Sequence, residues 1–143
     1  MKGVLKFNTD GTVCGSFRTV GIGGCLRNDS SKLLLYFFMS ARHLDASSTE
    51  CLAVKEAFSL FNSSRWKGQF VLVIESDSHL VVNWIQNPSY TPKIFKLYIY
   101  ACLKFGEEFQ WSIAVVPREC NLLTDMLAKQ GISRVKTLVK RFN

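Results

Sequence analysis

The chain has 143 residues, 48% hydrophobic and 20% charged, which matches one ordinary globular domain long enough to build a full core. Its longest apolar cluster, Leu33 to Met39, falls well short of the ~18 residues that a membrane-crossing helix needs, so that class is excluded and the cluster is expected to be a buried strand. Eighteen basic against eleven acidic residues leave a charge of +7, which favours a polyanionic partner and equally suits a soluble basic protein.

The opening MKGVLKF has no apolar run ending in a small-residue cleavage site, so secretion is not expected. Cys14, Cys25, Cys51, Cys102 and Cys120 are odd in number and form no CxxC pair, which indicates neither a disulfide framework nor a zinc site. A reducing, intracellular compartment, nuclear or cytoplasmic, is the expectation.

Val4 to Val13 predicts a first strand, and Thr19 to Leu26 a second that carries Gly21, Gly23 and Gly24 where close backbone approach or a bulge is expected. Asn28-Asp29-Ser30-Ser31 makes a turn into a third strand, Lys32 to Ala41, and the short spacings suit an antiparallel meander. A helix follows, capped by Ser47 or Ser48, with Cys51, Val54, Ala57, Phe58 and Phe61 at helical spacing. Gln69 to Glu75 is a short apolar run of the kind covered on both faces in a parallel sheet.

Ser78 to Gln86 predicts a helix with Leu80, Val81, Trp84 and Ile85 inward, ended by Asn87-Pro88. Another helix spans Lys93 to Glu107, a fifth strand Phe109 to Val116, and a last helix Leu122 to Gln130, which stops at Gly131. Trp84 and Trp111 follow the apolar period and belong to the core, while the pattern leaves Trp66 undecided. After Gly131, Arg134, Lys136, Lys140 and Arg141 meet no acid, so residues 132–143 form a basic tail. The mobility of chain ends favours a frayed terminus there over an accessory phosphate contact.

The order βββαβααβα describes an α/β domain over residues 1–131, with a mixed five-stranded sheet flanked by helices. Ligands on such sheets sit at strand carboxyl ends. Four acids stand there, and each also has an ordinary structural role. Asp10 suits a turn, and Glu50 follows Ser47 at the capping-box spacing. Asp77 suits a helix N-cap, and Asp125 suits the first turn of the last helix. Taken together, the topology puts Asp10 and Asp77 on neighbouring central strands, with Glu50 and Asp125 starting the helices beside them. Four converging carboxylates repel one another unless divalent cations lie between them, and hard oxygen ligands select magnesium or manganese.

The ordered segments KFNTDGT, GIGGCLRND, STECLAVKEAF, VIESDSHLVVNWI and PRECNLLTDMLAK resemble the type 1 ribonuclease H family, and most of all its branch in plant retroelements and reverse-transcriptase-derived plant genes. The resemblance covers residues 4 to about 131. It implies a ribonuclease H-like fold and an endonuclease, acting as a monomer, that cuts the RNA strand of an RNA/DNA hybrid and leaves 5′-phosphate and 3′-hydroxyl ends. It also implies two Mg2+ ions, with Mn2+ as a substitute. By analogy Asp10 bridges both, Asp125 holds the one that activates water, and Glu50 and Asp77 hold the one at the leaving oxygen. Gly11, Thr12 and Cys14 then lie along the RNA backbone, His79 and Asn83 approach the minor groove, and Asn121 braces the last loop.

Two departures stand out. Many relatives carry a histidine ten residues before the last acid, where this chain has Val115, which implies slower turnover. Only 47 residues separate Asp77 from Asp125, too few for the extra helix and basic loop with which some bacterial relatives grip the hybrid. Binding would then lean on residues such as Lys6, Arg18, Arg27, Arg42 and Arg118, and weaken with salt. A domesticated domain that binds nucleic acid or a protein without cutting is the rival reading. An exonuclease or nucleotidyl transferase is disfavoured because the first strand reads Thr9-Asp10-Gly11, without an Asp-x-Glu pair.

Overall fold

The computed structural model describes residues 2–14, 19–42, 45–121, 123–124 and 138–142. Strands β1 (Gly3–Cys14), β2 (Thr19–Arg27) and β3 (Leu33–Arg42) form the antiparallel meander that their short connections predict. The Asn28 side chain makes the β2–β3 turn by accepting from the N–H groups of Ser30 and Lys32. At Gly24 a Cβ would lie 2.3 Å from the Phe37 ring and 2.9 Å from Phe7, so this glycine serves close approach, whereas the register shift falls later, at Leu26/Arg27.

Helix α1 (Ala46–Asn62) packs over this sheet through Cys51, Ala53, Val54, Ala57, Phe58 and Phe61. Its N-cap is Asp45, not Ser47 or Ser48: Asp45 Oδ1 accepts from the Ser48 N–H at 2.7 Å. An aspartate there satisfies an orphan amide and also places a negative charge at the positive end of the helix dipole.

Strand β4 (Phe70–Ser76) lies parallel to β1 on one side and to β5 (Trp111–Val115) on the other. β5 is shorter than its alternation predicts because Phe109 leaves the sheet to pack edge-on against Phe61, with centroids 4.8 Å apart. Between β4 and β5 run α2 (His79–Gln86) and α3 (Lys96–Gly106). α3 begins later than expected, since Pro92 leads into a tight turn over Lys93–Phe95 before the helix settles. In α2, Leu80 is 55% exposed and Val82 takes the inward place expected for it.

A sixth strand, β6 (Leu138–Arg141), pairs antiparallel with β3, giving the order β5-β4-β1-β2-β3-β6 in place of five strands. Residues 138–141 are therefore part of the sheet and not a frayed end. Val139 packs on the core, and the Phe142 ring lies 5.8 Å from Tyr36, so two apolar anchors outweigh the basic residues between them.

One large core fills the space between α1, α2, α3 and the sheet, and holds Trp84 and Trp66. Trp111 is half-buried against it, with its ring 5.0 Å from Phe58. On the other face Cys25 and Phe38 make a smaller cluster with Leu33 and Tyr36, where Thr124 hydrogen-bonds to the Cys25 thiol. Leu123 and Thr124 are helical; the rest of the expected last helix, with Gly131, lies outside the described residues.

Candidate metal centre

The site is built where β4 ends and its parallel pairing with β1 stops. Their parallel register runs to Thr9 opposite Ser76, so Asp10 and Asp77 are the next residues on adjacent central strands. Just below them Asn8 donates to Glu75 Oε1 at 3.1 Å and ties the same two strands.

Asp10 does not close its strand. β1 continues through it to Cys14, with Asp10 opposite Gly23 of β2, and its side chain is 2% exposed. The Gly11 N–H donates to Asp10 Oδ1 at 2.9 Å, which fixes the carboxylate.

Gly11 is also what brings the third acid in. A Cβ there would sit 2.6 Å from Thr49 Cγ2 and 3.0 Å from the Thr49 backbone, so the missing side chain lets the first turns of α1 press against β1. Thr49 is locked in place by donating its hydroxyl to the Asp45 carbonyl at 2.7 Å. Glu50, next along, then points at the strand ends. With Asp45 as cap, Glu50 lies beyond the capping-box position, and that structural role for it falls away.

Asp77 is likewise not a cap, since Ser78 Oγ accepts from the Val81 N–H to start α2. One oxygen from each of Asp10, Glu50 and Asp77 can be chosen so that all lie within 4.8 Å of one another. Glu50 Oε2 is buried with no hydrogen-bond partner among the described residues.

Burial first, then the charges of Asp10 and Asp77 and a hydrogen bond shared with Asp10, push Glu50 up from 4.5 to about 9, against a smaller opposing effect of the Gly11 N–H. Without a cation Glu50 therefore keeps its proton at neutral pH. The only ion pair that reaches the cluster among the described residues is Arg118 Nε to Asp77 Oδ2 at 4.0 Å, and the arginine is 73% exposed. A buried carboxylate oxygen without a partner, in a set of hard oxygen donors, fits a divalent cation well.

The remaining expected positions divide. His79 and Asn83 are exposed on α2 beside Asp77, and Asn83 Oδ1 accepts from Asn87 at 3.1 Å. Gly11 is half-buried under α1. Asn121 ends a tight turn over Arg118–Asn121. The side chains of Thr12, Cys14, Arg42 and Asn121, and all of Arg18 and Asp125, lie outside the described residues. Sequence reasoning missed Asp45 as the cap of α1, and it named Arg118 only among the basic residues for hybrid binding, not as a partner of Asp77. Asp45 carried a signal, since aspartate ranks with serine as a cap, whereas Arg118 facing Asp77 depends on a three-dimensional approach that no local pattern encodes.

The family model described as reverse transcriptase-like matches residues 8–131. No curated protein sequence matches the chain. Among solved structures, ribonuclease H1 of the halophilic archaeon Halobacterium salinarum superposes with a TM-score of 0.80 at 19% identity, covering 91% of this chain and 98% of that one. LC11-RNase H1, solved in complex with an RNA/DNA hybrid, gives 0.81 at 19% identity over 90% of this chain and 96% of its own. The foamy viral protease-reverse transcriptase, also solved with an RNA/DNA hybrid, gives 0.72 at 16% identity, and there the match spans 92% of this chain and 20% of the viral one. At these identities the likeness establishes the fold alone.

Proposed function

This chain belongs to the reverse transcriptase-like family, and from that premise we propose that it is a metal-dependent endoribonuclease hydrolysing the RNA strand of RNA/DNA hybrids. The observation that carries the reading is the meeting of Asp10, Glu50 and Asp77 within 4.8 Å, with Glu50 driven to hold a proton that a cation would displace. Two neighbours of the same fold bound to such hybrids add support.

In this reading Asp10, Glu50, Asp77 and Asp125 hold two Mg2+ ions, for which Mn2+ substitutes. When bound, divalent ions make water nucleophilic near neutral pH and stabilise the departing oxygen of a phosphodiester. The chain's own groups prepare that centre. The Gly11 N–H orients Asp10, and Arg118 offsets part of the charge at Asp77. Glu50 gives up its proton as it becomes a ligand. His79 and Asn83 stand exposed beside Asp77, where donors and acceptors can read a 2′-hydroxyl. Gly11, Thr12 and Cys14 track the RNA backbone, and Asn121 braces the loop before Asp125. The protein acts as a monomer.

One feature favours a second reading, a domain that cuts weakly or only binds. Val115, 37% exposed at the end of β5, stands where similar proteins place a histidine, and a valine moves no protons.

The test is incubation of end-labelled RNA/DNA hybrid and matched duplex DNA with Mg2+, Mn2+ or chelator, alongside Asp77→Asn. Internal RNA cuts should require metal and fall by roughly 1,000-fold in the variant, the scale on which lost electrostatic stabilisation costs rate. Binding without cutting would shift the reading to the second, and stepwise trimming of DNA would contradict both.

A further inference from the structure

The surface of α3 bears a feature that the acid cluster does not use. From Ser78 to Gly106 the chain has no acidic residue but three lysines, Lys93, Lys96 and Lys104. Phe95, Ile99, Cys102 and Gly106 turn one side of this segment into the core. The outward side is not polar in compensation. Ile94 is 72% exposed, Leu97 86% and Tyr100 49%, with Tyr90 at 71% just before them.

A spacing of three lines up Ile94, in the tight turn that leads into α3, with Leu97 and Tyr100 on the helix itself. Single exposed apolar side chains are ordinary, whereas an aligned row is the mark of a surface built to be covered. Lys104 is engaged by Glu107 at 3.6 Å, while Lys93 and Lys96 have no ion-pair partner among the described residues. The row is thus flanked by uncompensated positive charge.

We propose that this face of α3 docks an acidic amphipathic helix of a partner protein. Ridges three residues apart fit the grooves of another helix, so apolar side chains on the partner would cover Ile94, Leu97 and Tyr100. Acidic residues flanking the partner's apolar stripe would meet Lys93 and Lys96. Three other occupants fit less well. A second copy would bring two lysine-flanked rows together. Nucleic acid gains little from Ile94 and Leu97, which offer neither a π-face nor a hydrogen bond. A lipid surface calls for a broad apolar face, and α3 has already committed its broad face to the core.

The test uses the full chain and a synthetic helical peptide with leucines at three- and four-residue spacing flanked by glutamates, together with a glutamine version. Amide chemical shifts of the protein should move around residues 93–104, and anisotropy of the labelled peptide should report saturable binding. Leu97→Ser should weaken binding by about 10-fold or more, as removal of a central anchor does. The glutamine peptide and raised salt should weaken it as well. Since Leu97 is largely in solvent, the variant should keep the parent melting temperature and hybrid cleavage, and Ile94→Ser provides a second variant with the same expectation. Equal binding by both variants, or shifts confined to another face, would overturn the proposal. So would loss in Leu97→Ser of self-association, vesicle binding or hybrid affinity in place of peptide binding.

Discussion

Glu50 shows how one side chain couples charge to fold. Its carboxyl has an ordinary value of 4.5 and is pushed up to about 9 by burial and by two neighbouring acids. Below about pH 4.5 it is protonated in both folded and unfolded chains, and burial costs no ionisation energy. Between that pH and about 9 the unfolded chain ionises while the folded one keeps its proton, so the metal-free protein should lose stability steadily as pH rises through this window. Glu50→Gln should flatten the slope and stabilise the metal-free chain by about 3 kcal/mol at neutral pH, on the usual conversion of shifted titration into free energy. Mg2+ should act oppositely, stabilising the parent more at high pH, because binding releases the proton. Chemical denaturation at several pH values, with chelator and with Mg2+, checks this, and a flat metal-free profile would contradict it. The identities of the acids were legible in the sequence because they stand at the ends of recognisable strands and helices. Whether each was merely a cap or a turn was not, because that depended on which neighbour took the cap: Asp45 and Ser78 did so, leaving Glu50 and Asp77 without a local role.

Among the elements, the seat of α1 on β1 decides whether the acids meet. Gly11→Val would force bulk into Thr49, whose Cγ2 lies 2.6 Å from the added Cβ position, and α1 would have to lift. The expected cost is about 2 kcal/mol, typical of overpacking, with a loss of divalent-cation affinity larger than any change in helix content. Thermal melts and metal titration would separate the two effects. The opposite edge of the sheet makes a second case. A chain ending at residue 137 would lose β6, uncover β3 and give up the packing of Val139 and Phe142, so it should be destabilised by about 2 kcal/mol. An unchanged melting temperature would contradict that. The long elements were legible because period and length agreed, as in α1 and β4. β6 was not, because four residues, half of them basic, hold no readable alternation and find their place only by pairing with β3.

At the level of the full domain, the parallel pairing of β1 with β4 and the crossing of α1 over the sheet bring three acids from distant positions, Asp10, Glu50 and Asp77, to one end of the sheet. The topology could be foreseen because three short-linked strands followed by helical crossovers leave few arrangements open. Arg118 beside Asp77 and the exposed row on α3 could not, since both depend on how finished elements face one another or solvent. Everything proposed for catalysis rests on the acid cluster being a cation site. Anomalous diffraction from crystals soaked in Mn2+ tests this most directly. The expected result is density bounded by the carboxylates of Asp10, Glu50 and Asp77, absent in Asp77→Asn crystals, and the absence of any such density in the parent protein would contradict it.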